Sequence, residues 1–128
     1  METALRALLI AGLPDMPASR INWGEAPQGE DRPYAVLHLI SVNQGHHMQG
    51  PEALEQSRVQ VDVYAPAFGE ARSMASAVKA ALDFHSGGNF LSIFFAGMRQ
   101  TRETSETAGE PLYRASLDFM INWRTSNG

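Results

Sequence analysis

Cysteine is absent from this chain, which removes disulfides, thiolate nucleophiles and Cys-ligated zinc and is compatible with a reducing cytoplasm. Lysine occurs once, at Lys79, and the ten basic residues are scattered rather than clustered. With a net charge of −4, that scatter argues against a surface built to neutralise nucleic-acid phosphates. No segment approaches the roughly 20 apolar residues that a membrane span requires. The N-terminal run Ala4 to Ile10 is short, Glu2 stands where a signal peptide would be basic, and Pro14-Asp15 follows without a cleavage site. A short amphipathic helix beginning near Thr3 is expected there instead.

What is present describes an ordinary folded chain. Its 128 residues are 44% hydrophobic and 19% charged, so a single domain spanning residues 1–128 is expected. The most informative stretch lies between Ser57 and Leu82, where the hydrophobic period changes from two to about three and a half. Val59, Val61, Val63 and Ala65 alternate with Arg58, Gln60, Asp62 and Tyr64, the pattern of an antiparallel strand with one face buried and one wet. Pro66 ends that strand, having no N–H for the ladder. Ala71, Met74, Ala75, Val78, Ala81, Leu82 and His85 then fall on one side of a helix that Gly87-Gly88-Asn89 is expected to stop.

Around this unit the remaining elements can be placed. Arg20 to Trp23 is a short strand, and Gly24 to Pro33 is rich in turn formers. Tyr34 to Val42 is apolar on both faces, which marks a strand covered from both sides or covered by a partner subunit. Asn43 to Gln56 reads as a long loop, uncommon in a compact domain. Phe90 to Thr101 is a strand with a bulge or bend at Gly97, and Arg102 to Pro111 is a polar hairpin tip. In the last strand Tyr113, Ala115, Leu117, Phe119, Ile121 and Trp123 share one face, with fraying from Thr125 onward. The fold class is therefore α+β: an antiparallel sheet with one long and one short N-terminal helix on one face, in the order α-β-β-β-α-β-β. Val61, Val63, Met74, Val78, Leu82, Leu117, Phe119 and Ile121 are the expected core.

Catalytic constellations are hard to find. His46-His47 are adjacent, so in extended chain they point apart, and no HxH or HxxxH spacing accompanies them. His38 reads as a core residue, and His85 as a group favouring the helix C-terminus. No serine sits in a G-x-S-x-G turn. Asp62 and Asp118 invite comparison with a glycosidase pair, but Arg58 and Arg114 occupy the same faces and offer cross-strand partners. Gly87-Gly88 follows a helix instead of preceding one, the wrong geometry for a phosphate. No enzyme, metal or cofactor is expected.

Taken together, several segments carry a resemblance. They are Ala4 to Leu9 (ALRALL), Arg20 to Leu37 with Pro33-Tyr34 opening a strand, Ser57 to Ala65 (SRVQVDVYA), the Ala-rich helix from Glu70 to Leu82, and Leu112 to Ile121 (LYRASLDFMI). This set resembles the tail-completion, or tail-terminator, family of long-tailed phages, prophages and gene transfer agents. The resemblance implies a structural virion protein without catalytic residues. It would form a ring, generally a hexamer, at the head-proximal end of the tail tube, contacting the tube protein and the head-tail connector or stopper protein. Before assembly it would reside in the bacterial cytoplasm.

Two features of the residues fit such a role independently. The wet sheet face, with Arg58, Gln60, Asp62, Arg114 and Asp118, offers a mixed polar lining past which DNA slides without sticking. The loops carry candidate contacts to a neighbouring subunit or the tube: Glu25, Gln28, His46, His47, Met48, Gln49, Leu54, Glu103 and Glu106. A ring needs unlike patches to meet. A head-side connector ring and a small dimeric α+β ligand-binding or enzyme domain are the competing readings.

Overall fold

The computed structural model describes residues 1–25, 33–44, 52–103 and 112–126. Helix α1 spans Glu2–Gly12, and a single 3₁₀ turn at Ala18–Arg20 leads into strand β1, Ile21–Trp23. Strands β2 (Tyr34–Gln44) and β3 (Glu52–Ala65) form a hairpin, helix α2 runs from Phe68 to Leu82, and β4 (Phe90–Glu103) and β5 (Leu112–Ser126) form a second hairpin. The five strands make one sheet in the order β1-β2-β3-β5-β4. The α+β order is as the sequence indicates, and the sheet is mixed: β1 lies parallel to β2, while every other pair is antiparallel.

Alternation decides which face is buried. Val59, Val61, Val63, Leu117, Phe119 and Ile121 are buried on the helix side, where Leu5 and Leu9 of α1 and Ala75, Val78 and Leu82 of α2 meet them. Met74, expected in this core, is only half-buried. It lines an open cleft of about 220 Å³ with Gly12, Leu13 and Met16. Arg6 ties α1 to the first strand by donating from Nε to the Ile21 carbonyl (2.7 Å) and from Nη2 to the Ala18 carbonyl (2.8 Å). The Trp23 indole N–H donates to the Glu2 carbonyl at 3.0 Å.

Four boundaries depart from the expectations, the first being that Arg102 and Glu103, expected in the hairpin tip, are strand paired with Tyr113 and Leu112. Asn43, Gln44 and Glu52 to Gln56 are strand, with Gln44 opposite Glu55, so the long loop is much shorter than Asn43 to Gln56. These residues lack an alternating pattern, yet a hairpin ladder continues on backbone hydrogen bonds alone. For the same reason Thr125 and Ser126 do not fray but pair with Ala53 and Glu52. The helix α2 ends at Leu82, before the glycines, and His85 lies beyond it with its ring against the edge of Phe90.

The early stop coincides with a contact to β4. Asp83 turns extended, Phe84 takes φ +64°, and the Asp83 carboxylate accepts the Phe95 N–H at 2.9 Å. Phe95 borders the register shift before Gly97, the bulge expected from the sequence. One carboxylate thus satisfies a backbone donor that the irregular ladder leaves open. Asp83→Ala is expected to cost about 1–2 kcal/mol, and Asp83→Asn, which keeps an acceptor, clearly less; chemical denaturation of the two variants checks the order.

Candidate functional site

The sheet face opposite the helices is built by the same alternation that buries the core. The strand registers place Tyr34, Tyr64, Arg114 and Thr101 in one row, Val36, Asp62, Ser116 and Arg99 in the next, then His38, Gln60, Asp118 and Gly97. The five residues expected on this face therefore do share it. Tyr34 and Tyr64 stack with ring centroids 4.8 Å apart, as directly opposed strand residues can.

Its centre is not open to water. Asp62 is only 2% exposed, and Ser116 beside it is also buried. The Gln60 amide donates to both Asp62 oxygens (2.9 and 3.2 Å), and His38 Nε2 lies 3.2 Å from Oδ2. Asp62 is thus a buried, hydrogen-bonded carboxylate under His38 and Gln60, not an exposed lining group as the sequence pattern suggested. Gln60 and His38 are partners of its carboxylate. Arg58 reaches Asp118 instead, Nη2 to Oδ2 at 3.8 Å and half exposed, a distance and exposure at which such pairs contribute little. Arg114 is half-buried and engaged by neighbours. Asp62→Ala should cost about 1–3 kcal/mol by orphaning two polar groups, whereas Arg58→Ala should stay within about 0.5 kcal/mol. Thermal unfolding of the pair separates the two roles.

The expected contact residues are dispersed. Glu25 is exposed just past β1, Leu54 is half-buried in β3, and Glu103 ends β4 at the opposite edge of the sheet. These three do not form one patch. Gln28, His46, His47, Met48, Gln49 and Glu106 lie outside the described residues. Among the described residues no three His, Asp or Glu side chains gather as metal ligands.

The sequence also left one surface partly read. Leu39, Ile40 and Val42 on β2 are exposed, and so are Phe84, Leu91 and Phe94 beside β4. The signal was present in the two-sided apolar pattern of β2, which goes uncovered beyond Leu37 among the described residues. A groove of about 370 Å³ between α2 and β4 has Arg72 and Lys79 on its wall and Phe95 and Met98 on its floor. The Lys79 ammonium sits 4.6 Å from the Phe95 ring centre.

A polar face, two sheet edges and exposed apolar strand ends supply contact area, the equipment of a protein that works by assembly. The comparisons agree with that class. Residues 3–123 match the family of tail completion protein gp17, and the chain belongs to that family. It is a structural protein of the phage tail, a virion component that assembles with other tail proteins, and not an enzyme. A chain of the solved native gene transfer agent (GTA) virion particle shares its fold, with 20% identity over 93% of this chain and 86% of that one and a TM-score of 0.59. A second solved chain shares it at 14% identity, 94% and 95% coverage and a TM-score of 0.51. No curated protein matches the sequence.

Proposed function

We propose that this chain caps the head-proximal end of the tail tube as a ring, generally of six copies, and forms the surface to which the filled head joins. The observation that carries the reading is the tail-completion match, which extends over nearly the whole chain, residues 3–123. The two-sided build supports it. Helices occupy one face of the sheet, and the other presents Arg58, Gln60 and Asp118 in mixed charge. Turned toward the lumen, such a face neither traps DNA by clustered cations nor repels it strongly. The tail tube protein on one side and the head connector or stopper protein on the other are the partners, and the subunits wait in the bacterial cytoplasm until tube growth ends.

Electron microscopy of particles made without this gene product tests the reading. DNA-filled heads and separate tails are the expected result. Heads that lose their DNA while tails remain capped would assign the chain to the head-side connector, and joined particles at normal yield would refute both.

A further inference from the structure

We propose that neighbouring copies meet through the two sides of α2, the Pro14-Asp15 turn of one copy seating in the groove between α2 and β4 of the next. The inference rests on the ring reading and names its contact. The groove sets two cations over an apolar floor. Arg72 and Lys79 stand two helical turns apart on α2, about 10 Å along its axis. The exposed Ser76 lies between them, and Phe95 and Met98 lie beneath. The Lys79 ammonium is 4.6 Å from the Phe95 ring centre, and Arg72 Nη1 is 3.8 Å from the Met98 sulfur. Neither cation has a carboxylate partner among the described residues. Asp83, one turn beyond Lys79, has its carboxylate on the Phe95 N–H instead.

Charge selects the occupant first. Two unpaired cations in a chain of net charge −4 attract a carboxylate from outside and fix its orientation. Asp15 is such a carboxylate: it is exposed and has no ion-pair partner among the described residues. The Met16 N–H donates to the Leu13 carbonyl at 3.0 Å, closing a turn that holds Pro14 and Asp15 outward. A turn already formed loses little conformational freedom on docking. Its proline suits the Phe95 and Met98 floor, and its carboxylate suits the gap between Arg72 and Lys79. The groove volume of about 370 Å³ lies within the range of pockets that enclose small groups.

Position selects it a second time. Helix α2 walls both features: Ser73, Met74 and Ala77 line the cleft that Asp15 borders, and Arg72, Ser76 and Lys79 line the groove. At 3.6 residues per turn these two sets flank the buried stripe of Ala71, Ala75, Val78 and Leu82 on opposite sides. The helix therefore separates a chain's own turn from its own groove, and the two stand at one height along α2. A rotation about an axis along α2 brings the turn of one copy to the groove of the next without a rise. Unlike patches that meet without a rise close into a ring, whereas a rise would build a helical filament.

The absence of cysteine makes the test clean. Pro14→Cys and Ser76→Cys, both at exposed positions, are introduced singly and together, and purified tails are treated with a short bismaleimide. A ladder extending beyond dimer is expected only from the double variant, since each single variant can link at most two chains. Tails that show a ring by microscopy but give no ladder would overturn this contact while leaving the ring reading intact; parent tails with no ring at all would remove both. A charge exchange provides a second arm. Asp15→Lys, and Arg72→Glu with Lys79→Glu, should each lower the yield of joined particles roughly tenfold or more at a nearly unchanged melting temperature. All three substitutions in one chain should restore the yield. Unchanged yields, or a folded triple variant that stays defective because Asp15 meets another tail protein, would contradict the proposal.

Discussion

Phe119→Ala is expected to destabilise the chain by about 3–5 kcal/mol. Phe119 is fully buried at the middle of β5, between Val59 on β3 and Phe95 on β4, with the Phe95 ring edge-on at 5.7 Å between centroids. Truncation removes the largest fully buried side chain from a site walled by sheet on both sides. Sheet strands held by continuous ladders cannot move in to fill the space, so the cavity persists and the cost lies well above the transfer energy alone. At the specific entropies of small domains, this should lower Tm by roughly 10–20 °C. A melting temperature within a degree or two of the parent would mean that the buried face has been assigned to the wrong side of β5.

Gly12→Val should cost about 3 kcal/mol through the opposite defect, overpacking. Gly12 is the last residue of α1, and any Cβ placed there collides with the Cβ of Ala81 on α2. Neither atom has rotamers to escape with, because both are fixed directly to backbone. The two helices must separate, and Leu5 and Leu9, buried under α1, lose contact with the core. A β-branched residue at a helix end carries only a small propensity change, so the clash decides the sign. Ala11→Val, one position earlier and exposed, is the control and should stay within about 0.5 kcal/mol. Ala81→Gly combined with Gly12→Val should recover part of the loss, a non-additivity that a double-mutant cycle reads directly.

How far the sequence reveals this fold depends on which force places each residue. Val59 to Ala65, Ala71 to Leu82 and Tyr113 to Ile121 sit where they do because apolar burial follows the helix and strand periods. Their alternation is legible without coordinates, and seven of the eight expected core residues are buried; only Met74 is not. The strand ends beyond the core are governed by backbone pairing, which leaves no mark on side-chain pattern. Asn43, Gln44, Glu52 to Gln56 and Thr125 to Ser126 therefore read as loop or frayed end although they belong to the ladder. At the end of α2 the Asp83 carboxylate accepts the Phe95 N–H from a strand twelve residues on, a contact that no local window contains.

The candidate site divides along the same line. That Arg58, Gln60, Asp62, Arg114 and Asp118 share a face follows from strand parity alone. Their roles on that face do not. Asp62 is shielded because its row neighbours are Val36 and Ser116 and because Gln60 folds onto it, facts set by the pairing of β2 and β5 with β3. Likewise, Leu39 to Val42 announces a buried strand in sequence, whereas the structure leaves it bare at a sheet edge. An apolar pattern states that a surface is to be covered, and only the topology shows that the described elements of this chain do not cover it.

The proposed function puts copies of this chain in a ring at the head-proximal end of the tail, with the helix-free sheet face toward the lumen. A reconstruction of the head-tail junction from intact particles tests it most directly. The expected density is a closed ring of this fold directly above the last tube layer, helices outward and the row containing Gln60 and Asp118 facing the DNA path. Copies at the distal tip, a ring lying on the head side of the connector, or helices lining the channel would contradict it.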